Sequence, residues 1–319
     1  MNVAAPALLL AYACLAGLGG PRLISRWRSL DRSPVASILV WQALSLSALI
    51  SVVLAGIAVA VPAIPLTTDV ALVLSACADA LRDNYDTPGG AITSVAGALL
   101  AGTVIVRSAW TVFRQLWSSN RQCSRQRLAV RLVSRTGEPG YLVVESDQPA
   151  AYCVPGKQRT VVLTTAALAH LDQPQLSAVL AHEDVHLHFR HHLVLAVAKG
   201  MQRAFPFVAL YREAVTELPR LVEVHADDVA AKRHDRRTLA LALVSLAEAR
   251  SPSGALGAGG TATMRRITRL VQPPCPMGRT RSLALTCSVA AMMALPFVLA
   301  ALPALGAIAV HYCPVDWTT

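Results

Sequence analysis

The stretch VASILVWQALSLSALISVVLAGIAVAVPAI, Val35 to Ile64, runs for thirty residues without a charged side chain. About 20 apolar residues of helix suffice to cross a bilayer, so this segment reads as a membrane span before any motif is considered. Three further runs share its character: Val3 to Leu18, Ala91 to about Phe113 with Arg107 near its end, and Leu283 to Val310. Pro296 and Pro303 are expected to kink the last of these. Composition agrees, with 54% hydrophobic and only 15% charged residues and a mean hydropathy of +0.47. A soluble globular chain carries nearer a quarter charged residues. The expected fold is mainly α and integral to a membrane, with four transmembrane helices at about 3–18, 35–64, 91–113 and 282–311.

Charge orients the spans. The first run has no positive charge before it and Arg22, Arg26, Arg28 and Arg32 after it, the reverse of a secretory leader, so it reads as a retained anchor. The loop from Gly19 to Pro34 is then cytoplasmic, because Lys and Arg concentrate on that side. The loop from Pro65 to Gly90, with Asp69, Asp79, Asp83 and Asp86 against Arg82, is expected outside. Residues 114–281 are basic at both ends and are expected in the cytoplasm as one hydrophilic domain. A short tail, 312–319, is expected outside. The domains are thus 1–113 with three spans, 114–281, the fourth span 282–311, and the tail.

The net charge of +10 does not indicate nucleic acid. Its arginines flank apolar segments, and aromatics make up only 5% of the chain, too few for base-stacking platforms. Direct nucleic-acid binding is therefore not expected; membrane lipid is. The seven cysteines (14, 77, 123, 153, 275, 287 and 313) form no CxxC pair, so neither a cysteine zinc site nor a disulfide framework is indicated. A Cys77–Cys313 pair remains open.

Inside 114–281, short strands are expected at 141–144, 151–154 and 160–164, punctuated by Gly-Pro-rich turns. Thr160 to Thr164 is a candidate sheet edge for pairing an extended peptide. Asp172, followed by Pro174, is a helix N-cap, and helical spacing follows. Further helices are expected at 206–218, 219–233 and 236–250, with a flexible loop over 251–263.

That first helix carries His182-Glu183-Asp184-Val185-His186. Imidazoles four residues apart project from one face and can reach a single Zn2+ ion, and Glu183 beside them can take a proton from a metal-held water. The spacing points to metal-assisted peptide hydrolysis. For a third ligand there are two candidates. His192 lies ten residues after His182, but reaching the same metal would need a helix break, and Phe189 stands where glycine would favour one. With the helix continuing, His192 would lie about 15 Å further along the axis. Glu223, in Glu223-Val-His-Ala-Asp227, is the better candidate, with Asp227 one turn on as a partner that orients a ligand histidine. His188, Arg190, His191 and His192 read as a solvated cationic helix end, and His225 as pointing away. His225, His234 and nearby arginines remain candidates for the group that stabilises an oxyanion; His170 has no role.

The residues Tyr152-Cys-Val-Pro-Gly156, Leu176 to Glu183, His186, Glu223 to Asp228 and Arg266-Ile-Thr-Arg-Leu270, set among four spans, resemble the antirepressor membrane metallopeptidases, transducers of bacterial beta-lactam sensing. The resemblance implies a gluzincin-type α+β zinc protease domain inserted between spans three and four. It implies His182, His186 and Glu223 as zinc ligands, Glu183 as general base, and a DNA-bound winged-helix repressor as the protein cut, so that the role is transmembrane signalling. It also implies self-cleavage, with 251–263 or Arg279-Thr-Arg281 as places for it. Classical members continue into an extracellular penicillin-binding domain, whereas only Tyr312 to Thr319 follow here, so a sensor partner is the expected input. A homodimer stays open. A quality-control membrane protease of the heat-shock type and a non-catalytic receptor or scaffold are the alternatives; the intact Glu183 speaks against the last.

Overall fold

A computed structural model describes residues 4–26, 33–61, 89–136, 140–156, 160–250, 258–273 and 278–312. The Cys77–Cys313 pairing, the acidic loop before Gly89, Arg28, Arg32, residues 251–257 and the tail after Tyr312 lie outside them. In chain order the elements are α1 (Ala4–Cys14), a π-helical turn (Leu15–Gly19), α2 (Gly20–Arg26), α3 (Pro34–Ala60), α4 (Gly90–Val133), β1 (Arg135–Thr136), β2 (Tyr141–Val144), β3 (Ala151–Val154), β4 (Thr160–Thr164), α5 (Thr165–His170), α6 (Gln173–His188), α7 (His191–Ala204), α8 (Ala209–Ala230), α9 (Arg236–Arg250), α10 (Ala258–Val271) and α11 (Arg279–Tyr312).

Four helical stretches are long and apolar enough to cross a membrane: Ala4–Arg26, Pro34–Ala60, Gly90–Val133 and Arg279–Leu302. Helix α3 starts cleanly, with the Ser33 hydroxyl accepting from Ala36 N and Pro34 in the first turn, and packs against α1, α4, α8 and α11. Small residues let its neighbours approach. A Cβ on Gly97 would lie 2.5 Å from the Gly56 carbonyl oxygen, so α3 and α4 touch backbone to backbone there. Ser51 Oγ donates to the Leu9 carbonyl at 2.8 Å, and Tyr12 and Ser47 hydroxyls pair at 2.8 Å, so buried polar groups tie α1 to α3.

The third span ends later than its apolar run. Helix α4 extends 44 residues to Val133, about 66 Å, because Arg114 to Arg131 keep a helix-forming composition after hydrophobicity falls. Three other expectations also change. Residues 209–230 form one helix through Pro219, not two. Residues 258–263, expected in a loop, begin α10. Finally, Thr160–Thr164 is not a sheet edge. The strand order is β1-β2-β4-β3, with β4 parallel to β2 and antiparallel to β3 in the register Tyr152↔Val162. Its Val161, Val162 and Leu163 are buried on both faces, as an interior strand requires. The exposed edge on this side is β3.

One core joins Leu163 of β4 to Leu176 and Val179 of α6 and Leu246 of α9. A second joins Ala178, Ala230, Leu239 and Leu270, uniting α6, α8, α9 and α10. A third mixes candidate membrane helices with the hydrophilic region: Ala16, Trp41, Leu44 and Ala48 pack with Ala198, Leu210, Ala214, Leu218 and Leu221 of α7 and α8.

Candidate metal centre

Helix α6 owes its start to a capping box: Asp172 Oδ1 accepts from Gln175 N at 2.8 Å while Gln175 Oε1 accepts from Asp172 N at 3.3 Å. From that fixed start His182 and His186 fall on one face, with ring centroids 4.9 Å apart and Nε2 atoms 3.2 Å apart. Glu223 arrives from α8, its Oε2 3.6 Å from His182 Nε2 and its Oε1 3.5 Å from His186 Nε2. Ligand atoms of His182, His186 and Glu223 all lie within 4.8 Å of one another. A tetrahedral zinc ion with bonds of about 2.0–2.1 Å sets neighbouring ligand atoms about 3.3–3.4 Å apart. The observed separations fit that ion.

The two histidines are backed differently. His182 Nδ1 lies 3.1 Å from Asp227 Oδ1, an approach whose angle falls short of a well-aligned hydrogen bond. Asp227 is in turn gripped by both arms of Arg266, which donates from Nε at 2.8 Å and from Nη2 at 2.7 Å. Arg266 Nη1 also lies 2.9 Å from Glu223 Oε2, so one guanidinium holds the carboxylates of Glu223 and Asp227 in place. Burial disfavours a charged His182, but Asp227 and then Glu223 outweigh it and hold the imidazole pKa up at about 9. Burial also opposes an ionised Asp227, and Arg266 and His182 overcome it, leaving the carboxyl below its ordinary range.

Behind His186 there is no carboxylate but a row of rings. His186 Nδ1 and His191 Nδ1 are 2.9 Å apart, and His191 Nε2 lies 3.0 Å from His225 Nδ1. His191 and His225 are buried, 4% and 5% exposed, and Phe189 packs edge-on against His225. Burial lowers the pKa of His186 to about 4 and of His191 to about 3, so these rings stay neutral at ordinary pH. This corrects the expectation that His191 is part of a solvated helix end; His225, also buried, stands behind His191 and does not line the cleft. The helix does break after His188: Arg190 takes a left-handed conformation at φ 51° with no glycine present. That turn swings His191 back against His186, and burial of His191 and His225 offsets the strain. His192 follows it onto α7 and does not join the ligand cluster. His188 and Arg190 remain exposed.

The cleft has a volume of about 560 Å³ and is lined by His182, Glu183, His186, Glu223, Arg266 and Tyr152, among others. Glu183 faces it half-buried; burial first, and the nearby negative Glu223, raise its pKa. Cys153, from the edge strand β3, lies against Glu183, and burial followed by that carboxylate pushes the thiol up to about 12. Sequence reasoning named Cys153 and Arg266 only within motifs and placed His191 outside the site. Spacing five residues after His186 would have found His191, had the Arg190 turn been foreseen. His170 only caps its own helix, its Nδ1 3.0 Å from the Ala166 carbonyl oxygen.

The arrangement can hold one divalent ion between two imidazoles, His182 giving up its proton to do so, and a carboxylate, with a carboxylate base and an open strand edge beside it. Among known proteins, no curated protein and no solved structure matches the chain. Residues 118–216 match the family model described as Peptidase family M48, a segment that includes His182, Glu183 and His186 and stops before Glu223; nothing in that match points to the antirepressor transducers. The chain thus combines four candidate membrane helices with a segment, residues 118–216, that is similar to Peptidase family M48.

Proposed function

We propose that this chain is a membrane-embedded zinc metalloendopeptidase that cuts a protein on the cytoplasmic side. The observation that supports it most is the meeting of His182, His186 and Glu223 within 4.8 Å beside Glu183 in a single cleft. Zinc held there would lower the pKa of a bound water toward neutrality and polarise a peptide carbonyl. The remaining steps belong to the chain. An extended substrate pairs with the free edge of β3, across Ala151 to Val154. Glu183, kept from ionising too readily by its burial, takes the proton of the attacking water and passes it to the leaving amine. Arg266, already lining the cleft, offers its guanidinium to charge developing on the carbonyl oxygen.

For the substrate, the sequence resemblance supports a winged-helix transcriptional repressor, cut in response to a signal from a sensor partner. One observation favours the other enzyme reading, quality control of membrane proteins: the cleft wall includes Ser119, Gln122 and Gln126 of α4, starting two residues past Trp117. Purified protein in lipid nanodiscs, given unstructured polypeptide, is expected to cleave it with zinc and to stop on chelation. Glu183→Gln is expected to bind zinc and not cleave. Cleavage undiminished in Glu183→Gln would refute the reading. Comparing cellular proteins between wild type and Glu183→Ala separates the substrates, through a repressor fragment only in wild type or accumulated membrane proteins in the variant.

A further inference from the structure

Helices α7 and α8 form a hairpin closed by Phe205 to Val208, and its contacts fix its depth against the spans. On one side Gly200 lies on the α4 backbone, where a Cβ would come 2.7 Å from Val112 Cα. Further toward the tip, Arg107 Nε donates to the Ala204 carbonyl at 2.6 Å. On the other side Tyr211 donates to the Ser45 carbonyl at 3.1 Å, and a Cβ on Gly17 would meet Val208 at 3.2 Å. Ser45 lies well inside the apolar span Pro34–Ala60, about 16 Å from its start at 1.5 Å per residue.

The membrane boundary is marked on α4 itself. Trp110, Phe113 and Trp117 are all exposed, with the Arg114 guanidinium over Trp110 at 5.9 Å and that of Arg121 over Trp117 at 3.8 Å. Aromatic rings beside arginines are the usual signature of the headgroup layer. Arg107, which meets the hairpin tip, stands about 5 Å below Trp110 and about 15 Å below Trp117 along the helix. We propose that the α7–α8 hairpin is a re-entrant membrane element whose tip, Phe205 to Val208, lies in lipid hydrocarbon.

Each polar feature of the hairpin fits that depth. Irregular backbone at such a level needs its polar groups satisfied by protein. Phe205 N bonds the Met201 carbonyl at 2.9 Å, Val208 N bonds the Phe205 carbonyl at 3.1 Å, and Arg107 serves the last carbonyl of α7. The arginine that interrupts the third apolar run thus caps a helix C-terminus, where a cation is favoured. Arg203 reaches back to Gln115, toward the boundary, as a snorkelling side chain does. Arg212 and Glu213, exposed one turn above Val208, fall level with the aromatic ring layer. Phe207, by contrast, is 74% exposed at the tip. Lipid hydrocarbon would shield it.

That last point makes the test clean and independent of zinc or proteolysis. Phe207→Cys and, as an exposed control in the turn just past the far end of α8, Arg233→Cys are made in the full chain and kept in native membrane vesicles opened on both faces. A charged maleimide is applied, and labelling of each peptide is followed by mass spectrometry. The thiol of the Phe207→Cys variant is expected to label at least tenfold more slowly than that of Arg233→Cys, and to match it once the sample is denatured. Equal rates in intact membranes would overturn the proposal, since protein leaves position 207 open. Should Phe207→Cys not accumulate, Pro206→Cys, also exposed, is read the same way.

Discussion

His182 and His186 stand one turn apart on the same helix and face the same point, yet their far nitrogens meet opposite kinds of support. Behind His182 is a charged pair, Asp227 with Arg266. Behind His186 is a neutral row, His191 and then His225. A carboxylate raises the basicity of the imidazole it faces and fixes its tautomer, whereas a neutral ring can fix only the tautomer. With a metal on His186 Nε2, its Nδ1 would carry the hydrogen, so His191 would accept through Nδ1 and donate from Nε2 to His225 Nδ1. The difference teaches that orientation and basicity, supplied together on one side of the site, are separable on the other.

The largest expected effect lies outside both supports and calibrates them. Glu183→Gln should lower turnover by about 10²–10⁴-fold while zinc content stays at the wild-type level. Breaking the charged side comes next. Asp227→Asn leaves a largely buried Arg266 with Glu223 as its remaining ion-pair partner and should weaken zinc binding by about 10–100-fold and cost up to about 3–5 kcal/mol of stability, read by chelator competition and thermal unfolding. Breaking the neutral side should be milder. His191→Phe keeps the ring volume but strands two imidazoles, for about 1–3 kcal/mol, and His191→Asn, which restores an acceptor, should recover part of the zinc affinity. If His191→Phe proves as damaging as Asp227→Asn, the two supports are not different in kind.

The smallest effect is a pair of pH slopes of opposite sign in the metal-free protein. His182 has its folded pKa raised to about 9, so its contribution is complete below about pH 6.5 and is lost as pH rises toward 9. His186 has its folded pKa lowered to about 4, so stability falls as pH drops from about 6.5 toward 4. Each unit contributes a shift of a few degrees at most, about 2–4 °C per kcal/mol. Asp227→Asn should flatten the alkaline slope, and His191→Phe should remove the contribution that His191, with its own pKa lowered to about 3, adds to the acid one, in unfolding temperatures measured after chelation.

The candidate membrane helices and the His182–His186 pair were legible because each rests on local periodicity: long apolar runs, and two histidines one turn apart. Glu223 and Asp227 were legible because they share a helix and lie one turn apart on it. What escaped depends on the chain reversing direction. No residue near 190 announces a left-handed turn, so the return of His191 to His186 could not be read. The order β1-β2-β4-β3 is likewise set by pairing across sequence, which moves the free edge from Thr160–Thr164 to β3 and brings Cys153 to Glu183. Arg107, read along the chain, is a blemish in a span. Only its contact with Ala204, on a helix 97 residues away in sequence, gives it a purpose.

X-ray absorption at the zinc edge of the full-length protein in lipid tests the metal centre most directly. One zinc per chain is expected, with imidazole nitrogens and oxygen as neighbours, two of the nitrogens lost together in a His182→Ala, His186→Ala double variant, and an oxygen altered in Glu223→Gln. A sulfur neighbour at about 2.3 Å, which would place Cys153 on the metal, or a wild-type chain that retains no zinc, would contradict it.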